Sequence, residues 1–543
     1  MEAYSETPIK VHKFLPIVSL GQAEDKNIPW GATIPDQYGN YYYTSFSPLG
    51  YAIPWLFVKI FNLPINECSL YIFNSILYLA SFTLLAALML KLFTGKLPKP
   101  LVVAISALYL FQPEILHSQG IVYWHQSLFQ VVFLLQLTLF SDLRGRGKNI
   151  TFFVLCVVAP YLEWTGFISD IVFAIGFLFR NGVAFGRSEI TLKTERVLKL
   201  IGVVACAALS GVLFVLHYLT TVSSTVFWRA VISRYNARTN ALTSNIGKGY
   251  LDSFGLLIAI TAVTFVFTLS YRPLRKSFVE SLRGNGYILF VMLFVLIENL
   301  IMKQHAVQYT FDRMKGVILL IFLLILCITT VWQTIDVKNH RVVAITATLS
   351  IAVVCAVSFG GYITSTHWKW DTPYLENNRA IATELAVKYT RDNSVYTQNV
   401  ATRGYSNLLF RRGIYEGVTV DRATQLAVEK GKRYSVAFEV SIGEWNMYGY
   451  SDYTVIDLEA QATANLTDGN WTHGVASFGN ILLFPNIDKF AELLLQNAPQ
   501  TVAKNEYTAD IMAIEDKGAW IWVTIANGAD KDKFQYPVEL TFE

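Results

Sequence analysis

Ten apolar runs constrain this chain more than any other feature. They fall at roughly 71–92, 101–116, 125–140, 150–162, 165–180, 199–219, 252–271, 286–302, 314–333 and 343–362. A helix needs about 20 apolar residues to cross a bilayer, and no soluble globule buries this many such runs. Hydrophobic residues make up 53% of the 543 and charged ones only 15%. The chain therefore reads as a polytopic α-helical membrane protein of about ten spans. From about Thr364 an ordinary soluble composition returns. SVYTQNV, YSVAFEV, NILLF and AWIWVTIA have the look of strands, and DRATQLAVEKGK that of a helix capped by Asp421 and closing near Gly431. That part is expected to be a small mixed α/β domain.

The connections between the runs alternate in charge. Lys91, Lys96 and Lys99 lie between the first two runs, and Arg144, Arg146 and Lys148 follow the third. Arg180, Arg187, Lys193, Arg196 and Lys199 follow the fifth, Arg272, Arg275, Lys276 and Arg283 the seventh, and Lys338 and Arg341 the ninth. Basic connections stay in the cytoplasm, so the other loops, both termini and the C-terminal domain are expected on the outside, in what reads as a bacterial inner membrane. This sidedness requires that Leu49–Phe61, the apolar end of the stretch Tyr38–Phe61, does not cross. Pro48 and Pro54 interrupt that run and it is too short to span. It reads as a helix lying in the membrane interface, with Tyr41, Tyr42, Tyr43, Tyr51 and Trp55 at headgroup depth. The alternative, a short tilted span, would move the N-terminus to the cytoplasm. The expected organisation is an extracytoplasmic N-terminal segment over 1–70, a membrane domain over 71–362 and an extracytoplasmic α/β domain over 363–543. An outer N-terminus with no span before it implies either a helix missing ahead of Met1 or transfer by later helices; the first is favoured.

The net charge of +4 gives no reason to expect a nucleic-acid partner, and the five cysteines form neither a CxxC nor a Cys/His cluster. A zinc site or disulfide framework is not expected. No Gly-rich phosphate loop, HExxH or nucleophile elbow occurs, which disfavours ATP-driven transport and zinc proteolysis. The outer segments hold the unusual chemistry. Six of the eight histidines fall there: His12, His117, His125, His305, His367 and His473. Arg229, Arg234 and Arg238 are spaced for one helix face and suit a lipid phosphate, or else a solvated amphipathic helix on anionic headgroups. KQHAVQYTFDRMK contributes Lys303, His305, Tyr309 and Arg313. Glu163, Asp170 two turns on, and Glu298 are acids inside apolar runs; such groups face a cavity or a partner, for example Lys303 or Arg313. Glu114 reads as an interfacial charge. Asn465-Leu-Thr and Asn470-Trp-Thr fit the glycosylation pattern, a tripeptide that also occurs by chance.

The order of an acidic outer segment, then YYYTSFSPLGYAIPWLFVKIF, then a span ending in basic residues resembles the membrane-embedded GT-C glycosyltransferases. The branch in view is that of the protein-mannosyltransferases and lipid A aminoarabinose transferases. Ser47-Pro48-Leu49 stands where that group carries a PPL helix, with Ser for the first Pro, and Leu92–Lys99 is the basic turn. The resemblance covers 1–362 as architecture and does not reach the C-terminal domain. It implies a transferase moving a sugar from a polyprenyl-phosphate donor to a glycan, lipid or protein acceptor, among membrane lipids. It places the catalytic carboxylate in the first outer segment, at Glu6 in preference to Glu2, with Lys10 one turn on to meet a phosphate. A second acid common in the family is absent; His125-Gln126 stands near its place. His12, Glu163, Arg229, Arg234, Arg238, Lys303, His305, Tyr309 and Arg313 are expected to hold substrate, with no cofactor or metal indicated. Glu6, Arg229 or Arg238, His305 and Arg313 should line one cavity. The competing readings are a transporter or flippase of a lipid-linked saccharide, and a structural subunit of an envelope complex.

Overall fold

The computed structural model describes residues 1–21, 26, 33–44, 47–120, 123–179, 194–239 and 246–364, and beyond them chiefly the strands between 394 and 540. The chain forms two units: 1–17, 31–36 and 42–371 make one, and 18–30, 37–41 and 372–543 the other.

In the first unit, two short helices, α1 (Glu2–Glu6) and α2 (Ile9–His12), precede the short strands β1 (Thr33–Pro35) and β2 (Tyr41–Tyr43). The helix α3 (Leu49–Ile60) follows, then α4 (Glu67–Phe93), α5 (Lys99–Ser106), α6 (Pro113–Gly120), α7 (His125–Phe140), α8 (Arg146–Leu162) and α9 (Thr165–Phe179). After these come α10 (Thr194–Leu219), α11 (Ser224–Thr239), α12 (Ile246–Ser270), α13 (Arg272–Met292), α14 (Phe294–Ile301), α15 (Lys303–Gln308), α16 (Gly316–Thr334) and α17 (His340–Thr364). Each of the ten apolar runs is helical. Among the described residues six helices are long and apolar enough to cross a membrane, and a seventh span exists if Lys99–Phe111 and Pro113–Gln119, bent by 60°, count as one. The bend sits at Pro113, whose ring forces Gln112 out of the helical region (ψ 136°). The runs at 125–140, 150–162 and 165–180 form shorter helices of 16, 17 and 15 residues, about 25 Å each at 1.5 Å per residue.

Burial divides these helices into centre and rim. In the span containing α16, 78% of the window is buried, against 11% for α17 and 17% for α10. Leu209, Val212, Leu213 and Leu216 on α10, and Val342, Ile345, Leu349 and Val353 on α17, are exposed. Helices apolar on their outward faces to this degree are stable only against lipid. Aromatic pairs close the centre: Phe93 lies 5.8 Å from Phe322, and Phe133 4.7 Å from Phe294.

Helix direction sorts the connections. Asp142, just past α7, is met by Lys91 from the end of α4 (3.8 Å) and by Arg144 (2.9 Å) and Lys148 (2.6 Å) from the approach to α8. Following each helix from that end, the connections α4–α5, α7–α8, α9–α10, α12–α13 and α16–α17 all fall at the same end of the bundle. These are the five basic ones. Residues 180–193 of the third lie outside the described residues.

The helix α3 has 12 residues, about 18 Å, well short of the ~30 Å hydrocarbon core. Gly50, Ala52, Pro54, Trp55 and Val58 are buried, while Leu56, Ile60 and Phe61 are exposed. One expectation is corrected here. Tyr42 and Tyr43 are buried and Trp55 is 7% exposed, so these aromatics pack inside the protein instead of lying among headgroups. The reason is local: the Trp55 Nε1–H donates to Ser5 Oγ at 3.1 Å, and its ring lies against Tyr4, Phe14 and His12.

The second unit is built on strands. β3 (Ser394–Gln398) pairs in parallel with β4 (Tyr415–Glu416) and β5 (Tyr434–Ser441), and β5 antiparallel with β6 (Asp452–Asp457). A seven-stranded sheet uses β7 (Thr472–His473), β8 (Ala476–Phe478), β9 (Ile481–Pro485), β10 (Thr501–Lys504), β11 (Tyr507–Asp516), β12 (Trp520–Ile525) and β13 (Val538–Leu540), in the order β7-β13-β10-β11-β12-β9-β8. Its core is Leu482, Phe484, Leu494, Val502, Ile521, Val523 and Ile525. The four strand-like stretches of the sequence are β3, β5, β9 and β12. The helix expected at 421–432, His367, and Asn465 and Asn470 lie outside the described residues.

Candidate functional site

Ionisable groups gather at the end of the bundle opposite Asp142, where helices stop and start. Pro113 opens α6 and puts Glu114 in its first turn, where a missing N–H costs nothing and the dipole favours a carboxylate. His125 is the first residue of α7, and Glu163 caps the end of α8 in an extended conformation. Glu298 lies on α14, and the tight turn Thr310–Arg313 delivers Asp312, Arg313 and Lys315 to the start of α16.

These side chains pair. His125 Nε2 lies 2.5 Å from Glu163 Oε2, both about 5% exposed or less. Lys315, fully buried, sets its Nζ 3.0 Å from Glu298 Oε1 and donates to Gln126 Oε1 at 2.7 Å, with the Phe129 ring 5.6 Å away. Arg313 Nη2 is 3.5 Å from Glu114 Oε2, its Nε–H donates to Ser253 Oγ at 3.1 Å and its Nη1 donates to the Ala306 carbonyl. Ser253 in turn donates to Glu114. His305 Nδ1 sits 3.1 Å from Asp312 Oδ2, and Tyr309 lies against His305 and Phe311. Four carboxyl groups thus meet two permanent cations and two imidazoles. Burial of unpaired charge is prohibitive, and each of these carboxyl groups has such a partner within 3.5 Å.

Two earlier assignments change. Glu114 is 4% exposed, a buried partner of Arg313 and not an interfacial charge. Glu298 is paired to Lys315 in place of Lys303 or Arg313. Lys315 is a residue that sequence reasoning did not assign, its only signal being its place at the edge of an apolar run; His125 stands among the outer histidines and near the place of the absent acid, but sequence reasoning gave it no role. Asp170 lies deeper, accepting from Gln136 Nε2 at 3.4 Å, with Cys156 Sγ 3.6 Å from the same nitrogen. Among the described residues no group of three His, Cys, Asp or Glu converges as a metal ion would require.

The remaining expected residues are spread. Glu6 and Lys10 are exposed and Glu2 is half-buried. His12 is fully buried between Tyr4 and Phe14, accepting the Phe14 N–H on Nδ1 at 3.0 Å; it packs the N-terminal segment instead of presenting itself to a ligand. Burial pushes its pKa down, a shift the Tyr4 backbone partly counters. Lys13 and Phe14 both take positive φ (47° and 64°), a strained turn held by Lys13 Nζ donating to the Thr220 carbonyl (2.6 Å) and by the Tyr4 hydroxyl on the Phe14 carbonyl (3.0 Å). On α11, Arg229 is exposed and Arg234 half-buried, and the side chain of Arg238 lies outside the described residues. Lys303 is half-buried, Tyr309 37% exposed, and Arg313 buried. The single cavity expected from Glu6, Arg229, His305 and Arg313 is not what these burials give: Arg313 is inside the protein and already paired, while Glu6 and Arg229 are outside.

The α3 helix touches this region directly. The Tyr123 hydroxyl donates to the Gly50 carbonyl (2.8 Å) and Ser47 Oγ to the Pro160 carbonyl (3.0 Å).

No protein-family model matches the chain, and no curated protein matches it in sequence. In structure it is similar to ArnT from Cupriavidus metallidurans bound to undecaprenyl phosphate, at 10% identity and a TM-score of 0.47, over 95% of either chain. It is also similar to the apo form of the Archaeoglobus fulgidus oligosaccharyltransferase, at 10% identity and a TM-score of 0.46, over 91% of this chain and 80% of that one.

Proposed function

We propose that this protein is a membrane glycosyltransferase that moves a sugar from a polyprenyl-phosphate donor to a glycan, lipid or protein acceptor on the extracytoplasmic face of a bacterial inner membrane. The observation that carries the reading is the one-sided placement of ionisable groups. Buried carboxylates, imidazoles and cations gather at the end of an apolar bundle where a lipid phosphate would sit, beside a helix too short to cross. The five basic connections at the other end support a cytoplasmic location for that end and an outer one for the cluster and both termini.

In this reading the buried pairs form a rigid charged floor, and the accessible groups of α1 and α11 work above it. The Glu6 carboxylate, or Glu2, takes the proton of the acceptor hydroxyl or amine as that group attacks the anomeric carbon. The bond from that carbon to the phosphate oxygen breaks on the opposite side, the configuration inverts, and the polyprenyl phosphate leaves with the bonding pair. This reading assigns Lys10, Arg229 and Arg234 to steady the departing phosphate. Glu163, oriented by His125, and the Lys303–Tyr309 segment complete the binding surface.

The test is transfer of labelled sugar from polyprenyl-phosphate donors by the reconstituted protein. A positioned base contributes ~10²–10⁴-fold, so Glu6→Gln should lose that much while donor binding stays within about twofold of the parent. Transfer that survives substitution at both Glu2 and Glu6 removes the assignment of the base. Movement of donor between leaflets with no transfer would replace the enzyme by a flippase.

A further inference from the structure

We infer that α3 is the spacer of the site. Gly50 is the positioning residue for the His125–Glu163 couple, and Trp55 the positioning residue for the α1 carboxylates. The inference rests on the transferase reading, and it is carried by contacts that reading does not use.

At its first turn α3 meets both segments that hold the couple. A Cβ built on Gly50 would stand 3.0 Å from His125 Cβ and 3.2 Å from the carbonyl oxygen of Leu162, the residue before Glu163. The hydroxyl of Tyr123, two residues before His125, donates to the Gly50 carbonyl, and Ser47 donates to the Pro160 carbonyl, three residues before Glu163. Gly50 is not at positive φ; it is there for room. A methyl there would make His125 or the end of α8 give by a few tenths of an ångström, and the 2.5 Å approach of His125 to Glu163 lies between those two segments.

Five residues on, Trp55 is turned about 140° around the helix axis and lies about 7.5 Å along it. It meets the other partner. Its Nε1–H holds Ser5, the neighbour of Glu6, and its ring closes the Tyr4–His12–Phe14 cluster that fixes α1. One helix thus touches the neighbour of the proposed base on one side, and His125 and the residue before Glu163 on the other, so α3 sets the spacing between the segments that carry them.

The test uses the full-length protein in lipid nanodiscs, with Gly50→Ala, Tyr123→Phe and Trp55→Phe. Histidine nitrogen NMR on ¹⁵N-histidine protein reads the couple without any turnover, and the His125 signals are identified by their loss in His125→Gln. Gly50→Ala and Tyr123→Phe should move the His125 signals and leave those of His340, at the far end of the bundle, in place. Transfer should fall several-fold in kcat, with the donor KM unchanged, since the neighbours of a Gly50 Cβ must give by a few tenths of an ångström, less than the displacement of about 1 Å that costs about 100-fold. Trp55→Phe should lower kcat to a similar degree and leave His125 unmoved. Unmoved His125 signals in both variants would overturn the inference. So would moved signals with unchanged kcat, because the couple would then not need its position. Absence of transfer by the parent protein would sink the transferase reading instead, and the NMR result would still decide whether α3 positions the couple.

Discussion

Lys315 is fully buried with a carboxylate at 3.0 Å, and replacing it by Met should be among the most damaging single changes in the membrane unit. At 3.0 Å and an effective dielectric of ~20, the Coulomb attraction is about 5–6 kcal/mol. Most of it offsets desolvation. What a single replacement exposes is a buried Glu298 without its cation, worth about 3–5 kcal/mol, together with a Gln126 oxygen that loses its donor. Replacing both partners, Lys315→Met with Glu298→Leu, removes the uncompensated charge and should recover at least ~2 kcal/mol of that loss. Reversible unfolding in mixed micelles, followed for the two single variants and the double one, gives the coupling directly. A cost below about 1 kcal/mol for Lys315→Met, or a double variant as unstable as the sum of its singles, would show that the pair does not hold the cluster.

Contrast comes from the other end of the bundle: Arg144 is 92% exposed beside Asp142, and Arg144→Ala should change stability by less than about 0.5 kcal/mol in the same assay. His12 makes a pH prediction. Its folded pKa lies below the ordinary 6.5 because it is buried, so between the two values the unfolded chain binds the extra proton. Stability should therefore fall as pH drops through about 6.5 and flatten below the folded value, and His12→Phe should remove that slope from melting curves taken between about pH 5 and 7.

The helices were legible because bilayer spans announce themselves in composition. Each of the ten apolar runs became a helix, and the start of Leu49–Ile60 was readable from Pro48, whereas Pro54, read as a second interruption, lies inside the helix. Two of the four strand-like stretches, NILLF and AWIWVTIA, form paired core strands for the same kind of reason. The pairings were not legible. Glu163 meets His125, Glu298 meets Lys315 and Glu114 meets Arg313 across chain separations that no local pattern encodes, and the acids' helix-end positions said only that some partner was needed. Trp55 misled because an aromatic residue near a membrane surface usually faces headgroups. Here a strained turn at Lys13 and Phe14 brings Tyr4, Phe14 and His12 over it, and φ values of that kind in non-glycine residues leave no mark in a sequence.

The two ends of the bundle differ in what they permit over descent. Around Asp142 the charges are wet and interchangeable, so that rim can drift one residue at a time. The opposite end is dry, and its members are bound in couples. A lineage that changes position 315 must therefore change 298 soon after or before, and likewise 114 with 313 and 125 with 163. The buried cluster of this protein can only be rewritten two letters at once.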